Sequence, residues 1–172
     1  VDTNRNGLSD DDEDGLPGVM VTNGRDVVRT DAQGRYRLPA FDNMTVSVTQ
    51  PAGHQVPLDE HNVPQFHYNH LPEGSPELRY GGIEPTGPLP SAINFPLVES
   101  EETAADTQSC VIAGDLQTYD EQEIEYARAG AIEDLSERHD HVGCGTLFVG
   151  DVVGDDLSLY PRLKERGGET NG

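Results

Sequence analysis

Apolar and polar positions alternate over much of the first hundred residues and give way to solid apolar runs and a helical period in the last third. Residues 18–22 (Gly-Val-Met-Val-Thr) alternate, Asn23-Gly24 is a strong hairpin signal, and residues 26–30 (Asp-Val-Val-Arg-Thr) answer it. Residues 31–34 (Asp-Ala-Gln-Gly) turn the chain into a short strand over 35–38, and residues 44–49 (Met-Thr-Val-Ser-Val-Thr) form another before Pro51-Ala52-Gly53. Short strands with turn residues between them predict a small antiparallel β-sandwich, Ig-like or prealbumin-like, over residues 15–98, with 92–98 as its closing strand. Within it, residues 54–90 are rich in Pro, Gly, His and Asn and are read as a long loop without regular structure. Residues 99–108 read as an acidic, small-residue linker.

Beyond the linker the grammar changes. Residues 109–113 form a short buried strand ending in Gly114-Asp115, and residues 145–149 a second ending in Gly150-Asp151. Between them Ile124, Ala127, Ala131 and Leu135 recur at helical spacing and predict a helix over 121–137, while a second helix starts over 157–164. Strand, helix, strand, helix implies a parallel pair joined by a crossover. Asp115 and Asp151 then emerge at one carboxyl edge, where open α/β sheets place their chemistry.

Composition bounds the function. A hydrophobic content of 34% over 172 residues with no Trp is thin for one large core, so two units are expected. Eleven Lys and Arg against 32 Asp and Glu leave a net charge of −21, a field that repels nucleic acid, anionic membrane and free phosphate unless bound cations invert it locally. No apolar run approaches the roughly 20 residues of a membrane span. There is no basic-then-apolar leader, and a chain opening on Val1 suggests processing or truncation. Cys110 and Cys144 are too few for a disulfide framework and too isolated for zinc; each precedes a strand by a similar distance, which leaves room for a bridge, but two buried free thiols are the expectation.

Asp2, Asn4, Asn6, Asp10 and Glu13 occupy the first, third, fifth, ninth and twelfth positions of a calcium loop, with Gly7 at the sixth and the Leu8 carbonyl at the seventh. Calcium takes six to eight hard oxygens, and Gly allows the sharp turn that folds them inward. No amphipathic helix flanks residues 1–14, so this is expected to be a Ca2+ clip outside a helix-loop-helix pair; a solvated acidic tail is the plain alternative. His61, His67 and His70 match no compact ligand set and are read as surface or packing residues.

Two carboxylates at neighbouring strand ends can share a dinuclear metal centre, to which Gln117 can add a neutral oxygen; turn chemistry alone also favours Gly-Asp at such places. Gly114-Asp115-Leu116-Gln117 followed by Phe148-Val149-Gly150-Asp151 resembles the first two motifs of the calcineurin-like metallophosphoesterases, in particular bacterial members with an N-terminal β-sandwich. The patterns over 15–51, 81–87 (Gly-Gly-Ile-Glu-Pro-Thr-Gly) and 95–97 (Phe-Pro-Leu) are similar to that branch. The resemblance implies that residues 109–172 begin an α/β phosphoesterase domain. It implies that Asp115 and Gln117 ligate one divalent metal (Mn, Fe or Zn), that Asp151 bridges two, and that the substrate is a phosphate ester. Where the family's second motif places an Asp three residues after the bridging one, this chain has Gly154 followed by Asp155 and Asp156, and Asp155 is the candidate to stand in. The family's later Asn-His and His motifs are not in the 172 residues, so the chain alone is expected to be inactive. A non-catalytic, calcium-stabilised adhesion or spacer module is the competing expectation, and acidity suited to a salty environment a third. A periplasmic, cell-surface or secreted location is the expectation.

Overall fold

The structure, a computed structural model, describes residues 1–167 other than Ser9, Leu78, Tyr80, Gly81 and Val142. The chain divides into two compact units, one of Val1–Pro57 with Pro64–Ala104 and one of Leu58–Val63 with Ala105–Gly172. No helix among the described residues is long and apolar enough to cross a membrane.

The first unit is built on β1 (Met20–Thr22), β2 (Val27–Arg29), β3 (Met44–Val48), β4 (His54–Gln55), β5 (His67–His70) and β6 (Val98–Glu99). Four of these make an antiparallel sheet in the order β2-β1-β3-β5, and β4 pairs antiparallel with β6. The period of two in β3 sends Met44, Val46 and Val48 inward, where they join Val19, Val21, Val56 and Leu97 in one core. At the hairpin Asn23 is almost fully buried: its Oδ1 accepts from the Arg25 and Asp26 backbone N–H groups and its Nδ2 donates to the Pro39 carbonyl. The loop spans four residues because Thr22 pairs with Val27.

Three expectations are corrected here. Residues 35–38 are not in a strand: Tyr36 and Leu38 pack on the core while the backbone stays outside the sheet. The expected strand over 92–98 pairs only at its end, in β6; farther back the Ile93 carbonyl accepts from the Tyr36 hydroxyl at 2.8 Å. The stretch 54–90 is not without regular structure. His67–His70 has the alternation of a strand, not of a helix, and closes the sheet against β3 with His70 buried.

In the second unit β7 (Val111–Gly114) and β8 (Thr146–Val149) pair in parallel, with Val111 opposite Thr146 and Gly114 opposite Val149. Between them run α1 (Glu121–Ala127), a π-helical turn (Arg128–Ile132) and α2 (Glu133–Ser136); α3 (Tyr160–Gly167) follows a 3-10 turn at Leu157–Leu159. The π turn inserts a residue and moves the apolar stripe by one, so Ile132 is buried in place of the expected Ala131. Ile124, Val153, Leu159 and Leu163 form the core of this unit. The two strands were expected to be buried, yet Ile112 and Leu147, which face each other across the ladder, are 70% and 58% exposed, so within the chain one face of the pair is open. The thiols are not free either: Cys110 and Cys144 form a disulfide with their Cα atoms 5.1 Å apart. Parallel registration is the cause, since it places the residues just before the two strands side by side.

Replacing both cysteines by Ser is expected to lower the unfolding free energy of this unit by about 3–4 kcal/mol, the loop-closure value for a separation of this order; urea denaturation of the oxidised wild type and the double variant checks it. A second expectation concerns acid. The Lys164 ammonium, 2.6 Å from Asp59, and the Val63 and His61 backbone N–H groups hold the Asp59 carboxyl down at about 2. The stabilisation is complete above the ordinary carboxylate value near about 4 and is lost as pH falls through the depressed one. Asp59→Asn should flatten the acid limb of stability between those two values, measured by thermal melting against pH.

Candidate functional site

The candidate site lies where β7 and β8 end. The two segments stay hydrogen-bonded beyond the strands: the Asp115 N–H donates to the Val149 carbonyl at 3.0 Å, that of Gln117 to the Asp151 carbonyl at 2.8 Å, and that of Gly154 to the Thr118 carbonyl at 2.8 Å. Asp115 Oδ1 accepts from the Asp151 backbone N–H at 3.0 Å, so the two acidic residues expected from the sequence are brought into direct contact. Asp115, Gln117 and Asp151 are all exposed. Asp115 and Gln117 have φ of 30° and 45°, sparsely populated for residues other than Gly, which raises Asp115 over the neighbouring strand end. Gly150, at φ 91°, makes room for it: a Cβ there would collide with Asp115 Oδ1.

Asp155 is exposed and is not drawn into this contact. Asp156 caps the following turn, accepting from Ser158 N–H at 3.0 Å and Ser158 Oγ at 2.6 Å, and the Ser158 bonds hold its carboxyl below the ordinary range. At Gly154, where the family pattern has an Asp, a side chain would overlap the Tyr119 ring. Two supporting residues escaped the sequence reading: Asp120 caps α1 through Glu123 N–H at 2.9 Å, and Glu123 Oε2 accepts from Tyr119 N–H at 2.7 Å. The Asp-x-x-Glu spacing ahead of a helix was the available signal.

The acidic loop at the start of the chain is folded in on itself. Asp2 is 4% exposed; its Oδ1 accepts from Asn6 N–H at 3.1 Å and its Oδ2 from Gly7 N–H at 2.9 Å, while its own N–H ties the loop to the Leu97 carbonyl at 2.7 Å. Asn4 and Asn6 each donate Nδ2 to Asp10 Oδ2 at 2.8 Å, and Glu13 Oε1 accepts from Thr3 N–H at 2.7 Å. The Leu8 N–H reaches Asn6 Oδ1 at 2.8 Å, and Ser9 lies outside the described residues. Asp2, Asn4, Asn6, Asp10 and Glu13 are thus drawn together by amide donors. Among the described residues, no group of three or more His, Cys, Asp and Glu side chains is arranged as a metal cluster. His61 is half-buried, His67 exposed and His70 buried, and they do not converge.

Residues 3–80 match the family model for the N-terminal domain of calcineurin-like phosphoesterases. That stretch of the chain is thus similar to such an N-terminal domain. Segments of serine-aspartate repeat-containing protein D from Staphylococcus aureus strains Newman and MW2 are each 44% identical to it over 61 residues, 31% of this chain and 5% and 4% of the respective relatives. The chain spans about a twentieth of the length of these curated relatives. No solved structure matches it. The matched stretch covers β1 to β5, and Asp115, Gln117 and Asp151 lie beyond it. Of the Gly81 to Gly87 pattern, Gly81 lies outside the described residues.

Gly150→Ala is expected to break the Asp115–Asp151 hydrogen bond without unfolding β7 or β8. Amide hydrogen exchange checks it: protection of the Asp151 N–H should fall at least about tenfold, equivalent to roughly 1.4 kcal/mol, while that of the β8 amides is kept.

Proposed function

We propose that this chain is the N-terminal part of a metal-dependent phosphoesterase, with an Ig-like or prealbumin-like sandwich ahead of the first βαβα portion of the catalytic domain. One observation carries the reading: Asp115 and Asp151 meet at the carboxyl ends of a parallel strand pair, in a contact that only Gly at position 150 permits. The donor set fits divalent metal, because two carboxylates and the Gln117 amide are hard, exposed oxygen ligands held by backbone bonds. Asp115 and Gln117 would hold one cation and Asp151 would bridge to a second, with Asp155 the nearest further carboxylate in sequence. When bound, such a pair supplies a Lewis-acidic centre that activates water against the phosphorus of a phosphate ester. The chain's own part is to fix the two carboxylates in one register and to leave them open to a substrate. Three ligands do not close two metal shells, so the isolated chain is expected to bind metal without turning over substrate.

A second reading is favoured by the buried Asp2 carboxylate: the first 14 residues form a Ca2+ clip that stiffens the first unit, and the chain serves as a spacer or adhesion module. Asp2, Asn4, Asn6, the Leu8 carbonyl, Asp10 and Glu13 would be the ligands, and the similarity to segments of a serine-aspartate repeat-containing protein supports it. The Cys110–Cys144 disulfide supports a periplasmic, cell-surface or secreted location under either reading.

The two readings separate in one experiment. Manganese is titrated into the chain in saturating calcium, followed by calorimetry, with Asp115→Asn and Asp151→Asn beside the wild type. The phosphoesterase reading expects each variant to weaken Mn2+ binding at least about tenfold, roughly 1.4 kcal/mol, with calcium affinity unchanged; equal Mn2+ binding by all three proteins refutes it. The clip reading expects calcium at about 100 times its Kd to stabilise the first unit by about 2.7 kcal/mol, an effect that Glu13→Gln abolishes.

A further inference from the structure

Basic residues are scarce on this chain, 11 in all, and they are unevenly paired. In the second unit each one is engaged: Arg128, Arg162 and Arg166 with Glu125, Arg138 with Asp140, and Lys164 with Asp59. In the first unit Arg29, Arg35 and Arg37 make no ion pair with a described carboxylate, although the chain carries 32 acids. All three are exposed and line one groove of about 940 Å³.

The sequence places them there. Over 35–38 the alternation turns Tyr36 and Leu38 toward the core and leaves Arg35 and Arg37 outward, and Arg29 ends β2, the edge strand of the sheet. Apolar side chains also line the groove, among them the half-buried Leu38 and Ile93 and the exposed Leu89. The single carboxylate in its lining, Asp31, is turned into its own loop, where Oδ1 accepts the Arg35 and Gln33 backbone N–H groups at 2.9 Å each. Those two bonds, with a smaller contribution from the nearby Arg35 guanidinium, hold the Asp31 carboxyl below its ordinary range.

Guanidinium groups match phosphate oxygens two at a time, and a cavity of this size with apolar side chains and a few charged groups in its lining has the character of a small-molecule site. We propose that this groove binds an anionic amphiphile, with a phosphate headgroup held by Arg29, Arg35 and Arg37 and an apolar body lying along Leu38, Leu89 and Ile93. The site is confined to the first unit and does not depend on the metal reading of Asp115 and Asp151. Its ligand chemistry is shared by a free alkyl phosphate and by the headgroup of a lipid in a bilayer.

The test uses the whole chain and two probes: decyl phosphate below its micelle-forming concentration, followed by calorimetry, and phosphatidylcholine vesicles with and without phosphatidic acid, followed by co-sedimentation. Binding of decyl phosphate alone assigns a soluble ester, and binding of acidic vesicles alone assigns a lipid surface. In either case the triple variant Arg29→Gln, Arg35→Gln, Arg37→Gln should bind at least about tenfold more weakly, roughly 1.4 kcal/mol, with an unchanged melting curve. Arg138→Gln, whose partner lies in the other unit, should bind as the wild type does. If the triple variant melts lower, Arg37→Gln alone carries the expectation, at about threefold. The proposal is overturned if neither probe binds, if the triple variant keeps wild-type affinity, or if decyltrimethylammonium or inorganic phosphate binds as tightly as decyl phosphate.

Discussion

Parallel registration of β7 against β8 is the constraint on which the rest of the second unit depends. With Gly114 opposite Val149, the next residues on each side are Asp115 and Gly150, and the Asp115 carboxylate reaches the Asp151 N–H over the one residue type that leaves space for it. A shift of one residue would point every side chain of a strand to the other face and separate the two acids. Packing alone holds this register weakly, since Ile112 and Leu147 are largely exposed and parallel sheets are ordinarily covered on both faces. The disulfide supplies what packing does not. It joins the residues just before the strands, while the backbone bonds from Asp115 to Gly154 continue the pairing after them, so the ladder is closed at both ends. Asp115 and Gln117 sit in left-handed backbone at a cost of order 1 kcal/mol or more each.

The first unit solves a different problem, that of short strands. Strands of two to five residues carry few ladder bonds, so the sheet relies on side chains that bond to backbone. Asn23 closes the β1–β2 loop and reaches the Pro39 carbonyl, Thr30 Oγ1 donates to the Leu16 carbonyl while accepting the Val19 N–H, and the Tyr36 hydroxyl fastens the Ile93 carbonyl. The acidic loop belongs to the same scheme, because the Asp2 N–H is anchored on the Leu97 carbonyl and the buried carboxylate then gathers Asn6 and Gly7.

Much of this was legible in the sequence where a local rule and the tertiary structure agree. The β1–β2 hairpin, β3, the helix after Asp115 and the Asp115–Asp151 contact all follow from period, turn residues and strand-end carboxylates. Residues 35–38 had the alternation of a strand and are not one, because alternation reports which side faces the core and not whether a neighbouring edge is available for pairing. His67–His70 was hidden by composition: Pro, Gly and Asn on either side masked four residues whose pairing comes from β3, far away in sequence. The phase of the helix was lost at the π turn, which no pattern of apolar residues announces. The bridge was misjudged because the burial of a thiol was inferred from the apolar strands, whereas Cys110 and Cys144 lie just outside them, on the exposed approach to each.

Both units are acidic, and they differ in how their few basic residues are paired. A net of −21 repels anions at long range, yet both proposed activities of the chain, metal-assisted chemistry on a phosphate ester and capture of an anionic amphiphile, require an anion to approach. Screening at physiological ionic strength confines the repulsion to about 8 Å, so what decides is the charge within a few ångströms of each site. At Asp115 and Asp151 the local charge is negative until cations bind, and the arginines and lysine of that unit are held by carboxylates elsewhere. In the groove three guanidinium groups, none in an ion pair with a described carboxylate, outnumber the one carboxylate of the lining, Asp31, which is bonded to its own loop. An acidic chain therefore has two distinct ways to receive an anion, one that depends on metal and one carried by its own side chains, and they need not serve the same ligand.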